Sequence, residues 1–271
     1  MEKELKIQRR LQEDLEYLKE LGYNVLGVFL QGSQNYQLDY EGSDIDTKAI
    51  IIPTFKDFLE SKRPVSTTLI LPSNEHIDVK DIRLMHQCFL KQNINFLEIL
   101  FTKYKVFCNS ELEKLYFPLI ENREKIAHFN THQALRCSAG MALEKYKALE
   151  HPYPTLIDKI EKYGYDNKQL HHIFRMRDFA ERYARGEDYE SCLVPRCPQF
   201  LIDIKANYLL TLEEARNSAK TLVKEIEEIK NNYILENEQY IDTEVPELLN
   251  QVLYNIMKNE FTKEILGEKN E

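Results

Sequence analysis

The sequence predicts an α+β protein: a small mixed sheet with helices in the N-terminal part, followed by an all-helical part. Three observations lead there. Short apolar runs of strand length, separated by turn residues, crowd into the first 109 residues. From about Ser110 those runs vanish and long stretches of helical period take over, most clearly over 131–150, 167–185, 211–231 and 244–265. With 271 residues, of which 43% are hydrophobic and 30% charged, the chain is long enough for one or two domains with real cores. The reading is therefore a mixed domain at 1–109 and a helical domain at 110–271.

In chain order, residues 2–21 form an amphipathic helix, with Leu5, Leu11, Leu15, Leu18 and Leu21 near helical spacing and Gly22 as its stop. The block Val25–Leu30 is a buried strand. Residues 31–43 are polar, hold two glycines and read as a loop with room for one helical turn. A second strand is expected over Asp44–Ile52, closed by Pro53, with Phe55–Ser61 as a short helix. Thr67–Leu71 and His76–Lys80 are strands joined by a turn at Pro72-Ser73-Asn74. Asp81 then stands at an N-cap position, ahead of Ile82, Met85, Phe89 and Leu90 at helical period. Phe96–Phe101 is one more apolar block and Tyr104–Cys108 a further strand. Pro152-Tyr153-Pro154 and Val194–Pro198 break the helical part.

Composition excludes several classes. The net charge of -9 rules out a generally basic surface for nucleic acid, so work on a polyanion requires metal ions or a few placed Lys and Arg. Five irregularly spaced cysteines do not make a disulfide framework. The opening MEKELKIQRRLQEDL lacks an apolar signal core, and no apolar run nears the roughly 20 residues that span a bilayer. The expectation is a cytoplasmic protein with reduced thiols and no membrane partner.

One stretch carries chemistry: FLQGSQNYQLDYEGSDIDTKAIIIP. It reads as strand, Gly32-Ser33 turn, ten further residues, then Asp44-Ile45-Asp46. Asp44-Ile45-Asp46 falls in the expected strand, and a strand puts residues i and i+2 on one face, so Asp44 and Asp46 project together. Two such carboxylates repel, and a divalent cation held by both is the simplest compensation. Mg²⁺, or Mn²⁺ in its place, prefers one or two carboxylates plus phosphate oxygens. Gly32 lets backbone approach a ligand, and the Ser33 hydroxyl with nearby N–H groups suits phosphate. Metals on the two aspartates would then bridge the same triphosphate, as in two-metal transfer.

This arrangement resembles the signature of the DNA polymerase β nucleotidyltransferase superfamily: an apolar strand, Gly with Gly or Ser, a gap of about ten residues, then Asp-x-Asp. Ser43 before the pair fits its commonest form. The resemblance implies a polymerase β-like nucleotidyltransferase domain at the N-terminus and a third carboxylate on a later strand, for which Asp78 is the choice and Asp81, otherwise an N-cap, the rival. Two further segments are similar to a bacterial and phage branch with a helical C-terminal half. Lys91–Phe101 is one, although Asn93-Ile94 stands where that branch has Asn-Pro. Tyr165–Arg175 is the other, near Tyr-x-x-Lys-x-x-x-His-x-x-Arg, and it nominates Lys168, His172 and Arg175 for the nucleotide. Those three fall at i, i+4 and i+7 and share one helix face, which is equally suited to a solvated or interdomain stripe.

The implied reaction is transfer of a nucleotide from an NTP, ATP first, to an acceptor hydroxyl with release of pyrophosphate, in a cleft between the domains. Gly32, Ser33 and Ser43 would bind the nucleotide and Asp44, Asp46 and Asp78 the metals. The acceptor stays open: a nucleic-acid 3′ end, a protein as in toxin neutralisation by AMP transfer, or a small molecule. The rival of another class is a nucleotide sensor or interaction module without turnover; a phosphate-ester hydrolase ranks last. Plainer roles are expected for His76 at the surface, Glu98 in a buried hydrogen bond or cap, and Cys192 with Cys197, too sparse for zinc. Tyr36 is the tyrosine nearest the motif.

Overall fold

The computed structural model describes residues 2–267. Its elements run α1 (Glu2–Glu20), β1 (Val25–Leu30), a 3₁₀ turn (Gly32–Tyr36), β2 (Thr47–Ile51), α2 (Phe55–Leu59), β3 (Ser66–Ile70), β4 (His76–Asp81), α3 (Ile82–Leu90), α4 (Ile94–Phe101) and β5 (Lys105–Phe107). Helices alone follow: α5 (Ser110–Glu121), α6 (Arg123–His128), α7 (Thr131–Ala148), α8 (Ile157–Tyr163), α9 (Asn167–Ala184), α10 (Tyr189–Leu193), α11 (Pro198–Asn207), α12 (Leu212–Glu236) and α13 (Glu244–Leu266). The class is α+β. No described helix is long and apolar enough to cross a membrane.

One five-stranded sheet has the order β3-β4-β2-β1-β5. The β2–β4 pair is parallel and the others antiparallel, so the sheet is mixed. Helix α1 covers one face. Its Ile7, Leu11, Leu15 and Leu18 pack on Val28 and Leu30 of β1, Ala49 and Ile51 of β2, and Ile77 and Val79 of β4. Burial alternates residue by residue along β4, as the two-residue period of a strand requires. The opposite face therefore carries Lys48, His76, Asp78 and Lys80. A bulge between Val25 and Gly27 shifts the β1 register.

The expected second strand starts later than the alternation suggests. Thr47, not Asp44, is its first residue. The preceding segment is extended and tied in at single points, by Gln31 N–H donating to the Asp46 carbonyl at 3.1 Å and by a side-chain acceptor at Ile45 N–H. The apolar block before β5 is a helix, α4, capped by Asn93; length alone does not separate a buried strand from a buried helix. Asp81 caps α3 as expected, accepting from Arg83 N–H at 2.8 Å.

The chain gathers into two compact units. The first takes in the chain up to Asn35, Gly42–Phe129 and the chain from Asp242 onward. The second comprises Tyr36–Glu41 and Asn130–Ile241. These units do not follow a single cut at residue 109, because α5, α6 and α13 stay with the sheet. Helix α13 packs on α5, α3 and α2. His86 bonds Asn250 at 2.8 Å, and the Phe55 and Phe58 rings each lie 5.5 Å from Phe261. In the second unit Leu149, Leu170, Ile173, Ile204, Ala215 and Ala219 form a core among α7, α9, α11 and α12. Helix α12 starts on a capping box between Thr211 and Glu214.

Two glycines predict opposite stability changes. A Cβ at Gly27 would lie 2.8 Å from the Val106 carbonyl oxygen, a backbone atom that cannot step aside without parting β1 from β5. Gly27→Ala is expected to lower unfolding free energy by about 1–3 kcal/mol. Gly140, inside α7 and exposed, has open space around its Cβ position, so Gly140→Ala should raise it by about 0.4–1 kcal/mol. Urea titration of the two variants beside the wild type checks both signs.

Candidate functional site

The Gly-Ser turn and the aspartate pair meet through the sheet. Leu30 is opposite Thr47 in the β1–β2 ladder, and the bond from Gln31 N–H to Asp46 O extends that pairing one residue further. Gly32 has φ of +81°, a left-handed conformation that only glycine adopts without strain, and this starts the 3₁₀ turn carrying Ser33. Asn35 pins the turn: its Nδ2 donates to the Leu30 carbonyl at 2.8 Å, and its Oδ1 accepts from Thr102 Oγ1 at 2.8 Å. Thr102 is the C-cap of α4.

Ile45 is buried in the core beneath α1, while Asp44 is exposed and Asp46 half-buried. The two carboxylates therefore leave the core side together, as the i, i+2 spacing requires. Asp46 Oδ1 is shielded from solvent and accepts no hydrogen bond; His76 Nδ1 lies 3.4 Å from it. A shielded carboxylate oxygen without a donor, beside a second carboxylate, fits a cation.

Asp78 shares that face but is held differently. In the parallel ladder it stands opposite Lys48, whose Nζ donates to Asp78 Oδ2 at 2.7 Å. Lys80 Nζ lies 2.9 Å from the other oxygen. Burial pushes the Asp78 carboxyl up, but the two ammonium groups outweigh it and hold the group below its usual range. Lys48, with 3% of its side chain exposed, is driven the other way: burial lowers its pKa, with Asp78 opposing. Its ammonium also sits 4.4 Å from the Phe96 ring centroid. Among the described residues no three His, Cys, Asp or Glu side chains stand together as a metal cage. Asp44, Asp46 and Asp78 are thus on one face without forming a ready trio. Asp81 faces the core side, and both of its oxygens are taken by Arg83.

Behind the aspartates lies a polar circuit absent from the sequence reading. Ile45 N–H donates to Glu75 Oε1 at 3.2 Å. Glu75 Oε2 accepts from Arg10 and from Ser73 Oγ. Arg10 Nε donates to Asp14 Oδ1 at 2.8 Å, and Thr47 Oγ1 donates to Asp14 Oδ2 at 2.6 Å. Burial raises the Asp14 pKa, with the Thr47 and Arg10 bonds opposing. The Arg10–Glu75, Ile45–Glu75 and Thr47–Asp14 links join residues 30 to 65 positions apart, so spacing gives no sign of them. Lys48 and His76, by contrast, alternate with Asp46 and Asp78 and were within reach of a two-residue pattern.

The remaining candidates lie in the second unit. Lys168 is exposed at the start of α9, His172 is half-buried and Arg175 is buried. The Arg175 guanidinium lies 3.8 Å from the Tyr36 ring centroid, and Tyr36 is itself buried, so that ring is occupied by packing. His171 Nδ1 pairs with the Leu201 carbonyl at 2.9 Å, and burial pushes its pKa down to about 4. His172, 5.3 Å away ring to ring, is lowered well below the usual value by burial and then by its neighbours. Both imidazoles are therefore neutral at pH 7, and His172 offers hydrogen bonds rather than charge. Ser43 is half-buried just ahead of the pair, Glu98 is buried within α4, and all five cysteines are free.

No family profile matches the chain, and no curated protein sequence matches it either. Among solved structures, a nucleotidyltransferase-like protein from Exiguobacterium sibiricum aligns with 12% identity and a TM-score of 0.29, over 90% of this chain and 77% of its own. Likeness that low assigns neither fold family nor function.

The His171 environment predicts an acid-labile second unit. A histidine whose pKa is depressed on folding is neutral when folded and protonates when unfolded, so its contribution is complete above about pH 6.5 and is lost as pH falls toward 4. Across that window stability should drop by about 2–3 kcal/mol from this group. His171→Asn keeps a donor for the Leu201 carbonyl and removes the titration; denaturant titrations from pH 7 to 4.5 should show a shallower slope in the variant.

Proposed function

We propose that the protein is a metal-dependent nucleotidyltransferase, taking an NMP from an NTP, ATP first, to an acceptor hydroxyl and releasing pyrophosphate. The observation that carries this reading is the shielded, undonated Asp46 Oδ1 beside Asp44, with Gln31, the residue that leads into the Gly32-Ser33 turn, donating its N–H to the same residue's carbonyl. In this reading Asp44 and Asp46 would be the residues that hold Mg²⁺. The ions would neutralise charge on the phosphates and lower the pKa of the attacking hydroxyl.

The chain's own groups do the rest. The left-handed Gly32 turns backbone N–H groups and the Ser33 hydroxyl toward the phosphates, and Ser43 joins them at the other end of the loop. Asp78 would join the metal ligands and accept the acceptor's proton once the lysines that hold its two oxygens give way. Until then Lys48 and Lys80 keep its charge balanced on a partly desolvated face. A lysine-paired carboxylate stays ionised at neutral pH, the state that both ligation and proton acceptance require. The net charge of -9 favours a protein or small-molecule acceptor over RNA.

Pyrophosphate release from the four NTPs with Mg²⁺ tests the reading. Wild type should release it, and Asp44→Ala/Asp46→Ala should lose at least about 100-fold, the scale set by several kcal/mol of missing charge stabilisation. Label from the ATP α-phosphate should appear on a protein or small molecule rather than lengthen an oligonucleotide. Release that survives the double substitution contradicts the assignment.

A further inference from the structure

We infer that Glu75 is a positioning residue that holds the Asp44–Asp46 segment at its working height, through a clamp closed by Arg10, Asp14 and Thr47. The inference rests on the metal reading of those aspartates, but the clamp itself is independent of it.

The geometry has three parts. First, the segment lies outside the regular ladder, since β2 begins only at Thr47. Backbone there is fixed by few bonds, and the Ile45 N–H is satisfied by a side chain, Glu75 Oε1, not by a neighbouring strand. Second, the circuit ends on both flanks of Asp46. One end is the Ile45 N–H; the other is the Thr47 hydroxyl, bonded to Asp14 at 2.6 Å. Arg10 joins the halves, bonding Glu75 on one side and Asp14 on the other. Third, the circuit sits on the α1 side of the sheet, opposite the face of Asp46 and Asp78, so it touches no reacting group.

Burial argues against stability as its purpose. Arg10 and Asp14 show 7% and 2% of their side chains, and Thr47 is fully buried. Desolvating such a pair costs several kcal/mol, and well-packed apolar residues often serve the fold as well or better. What apolar residues cannot supply is an acceptor aimed at one backbone N–H. Glu75 stands in the turn before β4, one residue from His76, which itself faces Asp46. The last residue of the turn and the first of β4 thus approach the Asp44–Asp46 segment from opposite sides of the sheet. A carboxylate that orients a ligand-bearing segment from behind acts as outer-shell partners of metal ligands do, and losing such a partner typically weakens metal affinity by about 10–100-fold.

The test combines two readouts on wild type, Glu75→Ala, Glu75→Gln and Thr47→Val. Hydrogen exchange of the Ile45 amide, read by NMR, reports the clamp directly. Mn²⁺ binding, read by paramagnetic resonance of free Mn²⁺, reports its effect on the aspartates. In Glu75→Ala the Ile45 amide should exchange at least about tenfold faster while the β1 and β4 amides keep their protection. Mn²⁺ binding should weaken by about 10–100-fold. Glu75→Gln keeps one acceptor oxygen and should recover most of both. Thr47→Val, which frees the other end, should weaken Mn²⁺ binding in the same direction. Unchanged exchange at Ile45 in Glu75→Ala overturns the clamp. Faster exchange with wild-type Mn²⁺ affinity overturns its positioning role. Wild-type protein that takes up no Mn²⁺ overturns the metal reading itself, and the exchange rates then decide alone whether the clamp exists.

Discussion

A buried lysine ammonium sets the terms for the polar face of the sheet. Lys48 stands in the middle strand of five, with little of its side chain in water, and its charge is stabilised chiefly by Asp78 across the parallel ladder. Without Asp78 the ammonium would be an uncompensated buried charge; without the ammonium, Asp78 would add an uncompensated negative charge to the face that Asp44 and Asp46 share. Asp78 adds no bare charge to the face that Asp44 and Asp46 share, because Lys48 and Lys80 each bond one of its oxygens. The Phe96 ring of α4 contributes a cation–π contact to the Lys48 ammonium.

The opposite face solves a different problem. There α1 supplies an apolar cover, yet two of its turns carry Arg10 and Asp14 instead of leucine. Asp14 bonds Thr47, the first residue of β2, and Arg10 bonds Glu75, which in turn holds the Ile45 amide in the lead-in to that strand. One face therefore presents charge, and the other fixes where that charge stands. The Gly-Ser turn is treated likewise: Asn35 ties it to the end of β1 and to Thr102, so a loop of polar residues rests on two defined anchors.

Much of this could be read from residues alone, because the relevant patterns are short. The two-residue period put Asp44 with Asp46 and Asp78 away from Asp81. The cap chemistry of Asp81 and Thr211 and the left-handed glycine after β1 are local signals. The start of β2 was misplaced because alternation continues through an extended segment whether or not a partner strand is hydrogen-bonded to it. Phe96–Phe101 gives the same apolar signal as helix or strand. The membership of α13 with the sheet, and the circuit through Glu75, depend on partners tens to hundreds of residues away. His86 finding Asn250 and Ile45 finding Glu75 have no counterpart in spacing. Arg175 shows the reverse: its helix face was legible, but its engagement with Tyr36 was not.

In the proposed function Asp44 and Asp46 would bind nucleotide through a divalent cation. Calorimetric titration of ATP into the protein, with Mg²⁺ and with a chelator, addresses it most directly. The account predicts tight binding with Mg²⁺, at least about tenfold weaker binding without it by linkage between the two ligands, and loss of that difference in Asp44→Asn/Asp46→Asn. ATP binding that ignores both the metal and the two substitutions would contradict it.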